Sequence, residues 1–311
     1  MYTDTITIRR DQRDPSIFAP PADVAEAAFP VNGFMALPQI TSEDDLSFIR
    51  ATLMRLFAQQ AGRTEGLLFD FAGTDEEGGP AGLPQLLDPR NFAPELVKTE
   101  FFHNAEQLAK RLLGPRARFV ADHAMLKPAR DGAETPWHQD DAFRPGDVDC
   151  TEVSIWMPLQ PVNEENGCLA FIPGSHKWDV LPHRWLSGDG RIHALECHTG
   201  FDPARMVLCP LPAGGCTVHT NRTLHWAGPN SSGAPRLAYV LVFGLPLQKA
   251  AQPRDHYWLA NKKEPREERR QRWMRRGGYV VHVCRRISQI PQIGWREVSM
   301  RAFMKITRRG Y

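Results

Sequence analysis

Apolar and polar positions recur at two different periods along the chain, and the period changes near residue 117. In "ITSEDDLSFIRATLMRLFAQQAG", Leu46, Ile49, Leu53, Met54 and Phe57 return at helical spacing, which predicts an amphipathic helix. Ser42 is placed to cap its start and Gly62 to stop it. "ELVKTEFFHNAEQLAKRLLG" predicts one or two further helices ending at Gly114. Gly66 to Pro89 is rich in Gly, Pro and Asp and reads as a long loop. From Ala117 the texture becomes that of short strands: "ARFVADHAMLKPA", "EVSIWMPLQPV", "GCLAFIPGSH", "RMVLCPL", "GCTVHTNRTLHWAGP" and "RLAYVLVFGL". Pro, Gly and Asn punctuate these runs, with Asn166-Gly167 as a hairpin turn, which is the pattern of a β-sandwich or barrel.

The prediction is therefore a β-rich α+β fold in one domain covering 1–311. It comprises a helical or irregular part over 1–115, a β core over 117–247 and an extension over 248–311. Composition agrees with a folded, water-soluble chain: 42% of residues are hydrophobic and 24% charged. The net charge of +2 excludes a molecule that is basic throughout, so nucleic acid is disfavoured as a partner. The charge is uneven, however. Between Lys262 and Arg309 there are 15 Lys or Arg against 4 Glu, so the remainder of the chain is acidic. The start, "MYTDTITIRRDQRDPSIF", has no apolar core of signal-peptide length, and no later segment has the roughly 18 apolar residues of a membrane span. A cytoplasmic protein without membrane attachment is expected. The six cysteines, Cys150, Cys168, Cys197, Cys209, Cys216 and Cys284, never form CxxC and read as buried free thiols.

Chemistry concentrates in "TPWHQDDAF" at 135–143. On a strand, His138 and Asp140 share a face and Asp141 points away if the strand continues. Alone, an HxD pair is a weak signal that many solvated loops carry. It gains weight from His225 in "TLHWAGPNSSGAPRLAYV" and from Arg236 eleven residues later. Two histidines and one carboxylate on one side of an iron leave three positions open, enough for a chelating 2-oxo acid and dioxygen. An arginine in an apolar strand wants an anion, and its planar fork suits a carboxylate.

"PWHQD", "SIWMPLQPVNEENGCLAFIPGSH" and "TLHWAGPNSSGAPRLAYV" resemble the phytanoyl-CoA dioxygenase family of Fe(II)/2-oxoglutarate-dependent oxygenases, in order and spacing, over about 117–246. The resemblance implies a double-stranded β-helix (jelly-roll, cupin-like) core with flanking N-terminal helices. It implies a metal triad of His138, Asp140 and His225, and a 2-oxoglutarate-binding Arg236. Trp156 and Met125 are the implied cofactor-pocket residues, Met125 lying on a strand face with His123 and Lys127. Iron, 2-oxoglutarate and dioxygen are the implied cofactors, with succinate and carbon dioxide as coproducts. Relatives that halogenate carry a small residue where Asp140 stands, so hydroxylation or another oxidation is expected. One position departs from the family: a Ser usual two residues after the distal His is Ala227, which removes one hydrogen bond to the cosubstrate unless another group supplies it.

The expected partner is a small-molecule substrate, read at the mouth by Trp137, Gln139 and Phe143, with secondary metabolism as the setting. The N-terminal helices and the Gly66–Pro89 loop are placed to form a lid. His219 competes with His225 as distal ligand but has the wrong spacing to Arg236, and His176 in "IPGSH" reads as part of a turn with an N-capping Ser175. The basic tail, as in "EPREERRQRWMRR", reads as a solvated helix or a homo-oligomer contact. Three alternatives stay open: an acyl-CoA hydroxylase using that tail, a non-catalytic ligand-binding barrel, and a zinc hydrolase.

Overall fold

Helices do dominate before residue 117, yet three strands precede it. In the computed structural model, which describes residues 22–75, 79–278 and 280–281, the N-terminal part forms α1 (Ala22–Asn32), β1 (Phe34–Leu37), α2 (Glu43–Ala58), β2 (Leu68–Asp70), β3 (Pro84–Leu87) and α3 (Glu100–Leu113). There follow β4 (Arg118–Lys127), β5 (Thr135–His138), β6 (Val148–Asp149), β7 (Glu152–Pro158), β8 (Leu169–Phe171), β9 (His183–Trp185) and β10 (Leu195–Cys197). Then come β11 (Val207–Cys209), β12 (Cys216–Thr220), β13 (His225–Ala227), β14 (Arg236–Gly244), β15 (Gln248–Lys249) and α4 (Pro265–Trp273).

The strands pair antiparallel, mainly in a seven-stranded sheet ordered β1-β12-β7-β14-β4-β3-β2 and a four-stranded sheet ordered β11-β8-β13-β5. Strand alternation assigns the two faces of the larger sheet. Ile155 and Met157 of β7, Val218 of β12 and Tyr239 and Leu241 of β14 pack outward into one core with Leu46, Ile49 and Leu53 of α2 and Phe101, Ala105 and Leu108 of α3. The residues between them, including Trp156, Ala238 and Val240, face inward and pack against Leu169, Phe171 and Ala227 of the smaller sheet. Fully burying each such side chain stabilises the fold by roughly 1.5–3 kcal/mol, so the helices are held by their apolar stripe against the sheet. The lid role expected of the helices is corrected accordingly: α2 and α3 brace the outer face.

Ser42 caps α2 by accepting from the Asp45 N–H, and Thr99 caps α3 by accepting from the Phe102 N–H. The buried stripe of α2 uses Leu56 and Thr52 and leaves Met54 39% exposed, because Met54 falls one step off the sheet-facing arc. The helix ends at Ala58, and Gly62 serves instead in the left-handed turn that follows (φ 81°). The segment read as a loop from Gly66 to Pro89 contains β2 and β3. Its turn is organised by Asp70, whose carboxylate accepts from the N–H groups of Ala72, Gly82 and Leu83, and by Asp75, which accepts from the Asp70 N–H. Asn166-Gly167 is a turn with Gly167 left-handed, but it connects strands of different sheets, so it is not a hairpin.

The basic helix is corrected too. Arg269 is buried in α4 against Asp75, which also holds Arg63, while Glu264 binds Lys262 and Arg266. One face of α4 is thus an ion-pair contact with the β2–β3 turn. The remainder of the tail, with Cys284, lies outside the described residues. The other five cysteines are free, four of them buried. No described helix is long and apolar enough to cross a membrane.

Candidate active site

His138 closes β5 and His225 opens β13, and the two are direct partners in the antiparallel register of the smaller sheet. This pairing brings together two rings 87 residues apart in sequence, with centroids 4.1 Å apart. Each Nδ1 lies against the carbonyl oxygen two residues upstream, His138 on Pro136 at 2.7 Å and His225 on Thr223 at 2.9 Å. A carbonyl only accepts, so both protons sit on Nδ1 and both Nε2 lone pairs are left to face a shared point.

Asp140 reaches the same point because Gln139 is extended (φ −112°, ψ 131°), which returns the next side chain to the side of His138. The chain then leaves the strand direction in a 3₁₀ turn over Asp140–Phe143. Asp140 Oδ1 lies 3.5 Å from His138 Nε2 and 3.8 Å from His225 Nε2. One ligand atom from each of the three residues falls within 4.8 Å of the others. Burial pushes His225 well below the ordinary histidine range, so it is neutral. Burial pushes the Asp140 carboxyl up, but the polar groups gathered around it, His219 included, outweigh it and hold it well below the usual carboxylate range. Neutral imidazoles and an ionised carboxylate are the donor set of a divalent transition metal with open positions. Asp141 faces away although the strand stops: it accepts from Arg222 Nε at 3.1 Å and from the Cys150 thiol at 3.2 Å.

The three residues line a cavity of about 330 Å³ between the sheets. Arg236, at the start of β14, is 1% exposed and lines the cavity; its Nε and Nη1 have no hydrogen-bond partner among the described residues. Its guanidinium lies 5.5 Å from the Trp156 ring centroid, and burial lowers its pKa to about 10. Lys127 is its cross-strand neighbour and donates to the carbonyls of Ala227 and Gly228. Burial and the adjacent Arg236 hold Lys127 well below the usual lysine range. Arg236 therefore lines this end of the cavity beside a second basic side chain, with no carboxylate paired to either among the described residues, an arrangement that favours an anionic ligand. Met125 and His123 line the same space from β4.

Of the residues expected at the mouth, Phe143 lines the cavity, beside His193 and Phe71. Gln139 does not. It is fully buried on the opposite side, its amide binding the Arg222 carbonyl and the Leu181 N–H, because alternation along the strand turns it away from His138 and Asp140. Trp137 is turned away for the same reason and stacks on Trp226 (6.0 Å, 18°) in a second, shallower cavity with Phe201 close by. His176 packs on Gly33 with Nε2 on the Pro30 carbonyl, far from ligand duty. Ser175 donates to the Ile172 carbonyl and accepts from the Leu224 N–H, so it joins β8 to β13 and is not a cap.

The structure adds cavity residues that the sequence did not point to. Gln85 of β3 has a buried, unpartnered Oε1, and it lay inside the segment read as loop. Thr135 of β5 lies directly across from Ala227 and lines the same cavity, so a hydroxyl is present one strand away from where the family's Ser is missing. Pairing of β5 with β13 would have revealed it, but that register is not written in either segment. Half-buried Arg144 and buried Glu152 form an ion pair at the cavity wall. His219 is 3% exposed, with Nε2 3.5 Å from Asp140 Oδ2.

Comparison with known proteins bears on this site. Residues 29–238 match the family model for phytanoyl-CoA dioxygenase (PhyH). The chain is 36% identical over 128 residues to a probable alpha-ketoglutarate-dependent hypophosphite dioxygenase of Stutzerimonas stutzeri, a match covering 40% of this chain and 44% of that protein. It thus spans under half of that relative's length. It is 28% identical over 258 residues to L-proline trans-4-hydroxylase of Streptomyces griseoviridis, covering 76% of this chain and 91% of the relative. Among solved structures, EvdO2 from Micromonospora carbonacea var. aurantiaca, complexed with 2-oxoglutarate, superposes with a TM-score of 0.67 at 35% identity, covering 78% of this chain and 98% of that one.

Proposed function

The chain belongs to the phytanoyl-CoA dioxygenase family, and from that premise we propose that it is a non-haem Fe(II)/2-oxoglutarate-dependent dioxygenase that hydroxylates a small molecule. The observation that carries this is one cavity holding both the His138–Asp140–His225 cluster and an Arg236 whose Nε and Nη1 have no partner among the described residues. His138 Nε2, Asp140 Oδ1 and His225 Nε2 would hold the iron, and Arg236 would pair with the far carboxylate of 2-oxoglutarate. When bound, iron, 2-oxoglutarate and dioxygen supply the oxidising chemistry, the 2-oxo acid leaving as succinate and carbon dioxide.

The protein's own part is binding, orientation and exclusion of water. Trp156 and Met125 wall the cosubstrate end, and Thr135 offers the hydroxyl that Ala227 lacks. Phe71, Phe143 and His193 make the aromatic wall against which a substrate C–H bond would be placed. We read the two facing sheets as a double-stranded β-helix, with the metal cluster on the smaller sheet and Arg236 on the larger. A small substrate is favoured over an acyl-CoA because Arg266 and Arg269, in the described part of the basic segment, are engaged by Glu264 and Asp75. The likeness to a free-proline hydroxylase over 91% of its length supports the same choice.

Anaerobic addition of Fe(II) and 2-oxoglutarate should give the visible charge-transfer absorption of the chelate, lost in Asp140→Ala. Oxygen should then release succinate. Absence of both from the wild-type protein would refute the assignment.

A further inference from the structure

Asp140 offers two oxygens, and the structure treats them differently. Oδ1 faces His138 and His225. Oδ2 accepts a hydrogen bond from Ser154 Oγ at 3.0 Å and lies 3.5 Å from His219 Nε2. Ser154 and His219 are direct cross-strand partners on β7 and β12, both at most 5% exposed. They therefore form one rigid pair on the inner face of the larger sheet, while the carboxylate comes from the turn after β5. β12 is held between β1 and β7, and Phe171 lies 5.3 Å from the His219 ring.

The tautomer of His219 follows from its other nitrogen. Nδ1 is buried and has no partner among the described residues. A buried, unpaired N–H is rarer than an under-satisfied acceptor, so the proton belongs on Nε2, the nitrogen 3.5 Å from Asp140 Oδ2, with Nδ1 carrying only a lone pair. This is the reverse of His138 and His225, whose protons lie on Nδ1. Spacing to Arg236 set His219 aside as the distal ligand; its proton position sets it apart chemically, because its Nε2 has no lone pair to offer.

We propose that Ser154 and His219 are positioning residues: a two-donor clamp that commits Oδ2 of Asp140 to the protein and leaves Oδ1 as the single carboxylate oxygen presented to the metal. This rests on the reading of His138, Asp140 and His225 as the metal centre. Partners of this kind fix ligand orientation, and losing them typically lowers metal affinity 10–100-fold. Without the clamp the carboxylate is free to rotate and present both oxygens.

The test is Co(II) binding to the full chain, followed by calorimetry and by the visible d–d absorption of the bound ion, with thermal unfolding of each metal-free variant alongside. Ser154→Ala and His219→Leu should each lower Co(II) affinity by about 10–100-fold and alter the d–d band. Ser154→Thr and His219→Gln, which keep a donor within reach of Oδ2, should recover most of the affinity and the band. Wild-type affinity and spectrum in Ser154→Ala and His219→Leu, with binding lost in Asp140→Ala, would overturn the clamp and leave the metal centre standing. Equal losses in all four variants, tracking their thermal transitions, would also overturn it, since the pair would then be structural only. Undiminished Co(II) binding by Asp140→Ala would remove the metal-centre reading itself.

Discussion

Arg236 has two unpartnered donors in a buried setting, which makes it the residue whose removal has opposite effects on folding and on binding. A buried cation without an anion is costly, so Arg236→Leu should leave the thermal transition of the ligand-free protein unchanged or raised. The same change should weaken 2-oxoglutarate binding by roughly 100-fold, since a charge-assisted bond to a carboxylate contributes about 1.5–3 kcal/mol. Anaerobic titration of the iron chelate band measures the second effect and calorimetry the first. A marked fall in the thermal transition would mean that Arg236 has a structural partner. Thr135 permits a finer check, because its hydroxyl faces Ala227 across the β5–β13 pair. Thr135→Val should raise the Kd for 2-oxoglutarate by about tenfold, corresponding to one hydrogen bond. Adding Ala227→Ser to it should restore part of that loss in the same titration.

The cavity is shaped by how elements are tied to one another. The β2–β3 turn carries Phe71 into the cavity wall and is anchored to α4 through Asp75, which binds both Arg63 and Arg269. Asp75→Ala would leave a buried guanidinium unpaired, a loss of about 3–5 kcal/mol when one partner of a buried pair is removed. Urea denaturation should show that loss; a change under 1 kcal/mol would mean that Arg269 finds another acceptor. The outer helices are less sensitive. Ser42→Ala removes the α2 cap and should cost about 1 kcal/mol, with 2-oxoglutarate binding unchanged because α2 packs on the face opposite the cavity.

For the molecule as a whole, buried neutral histidines set an acid limit. Burial lowers His123, His183 and His193 to about 4. His183 is locked as a neutral ring, its Nδ1 on the Leu181 carbonyl and its Nε2 accepting from the Gln139 N–H. Between about pH 6.5 and pH 4 the unfolded chain binds protons that the folded chain refuses, so stability is full above that window and falls as pH falls through it. Asp122 acts the other way, because burial raises its carboxyl to about 6. Three histidines outweigh one aspartate, and the urea midpoint of the metal-free protein should drop steadily from pH 7 to pH 5. A flat midpoint over that range would contradict the buried neutral state.

Much of this was legible in the sequence. The helical period of α2, the strand texture from Ala117 onward, and the two motifs around His138 and His225 are local signals, set by side-chain spacing and turn chemistry that neighbouring residues enforce. Arg236 stood out because a cation in an apolar strand needs an anion, and His138, Asp140 and His225 because the order and spacing of their motifs resemble the family's. Register and facing could not be read, since they depend on which strands pair. Gln139 and Trp137 lie beside His138 and Asp140 in sequence yet face away from them, while Thr135, Gln85 and Ser154 reach the cavity only through cross-strand neighbours. The β2–β3 turn was hidden because Asp70 and Asp75 organise its backbone with hydrogen bonds that no hydrophobic period reports. Sequence determined the donors and the elements that carry them. Tertiary pairing alone decided which oxygen, which tautomer and which face each donor presents.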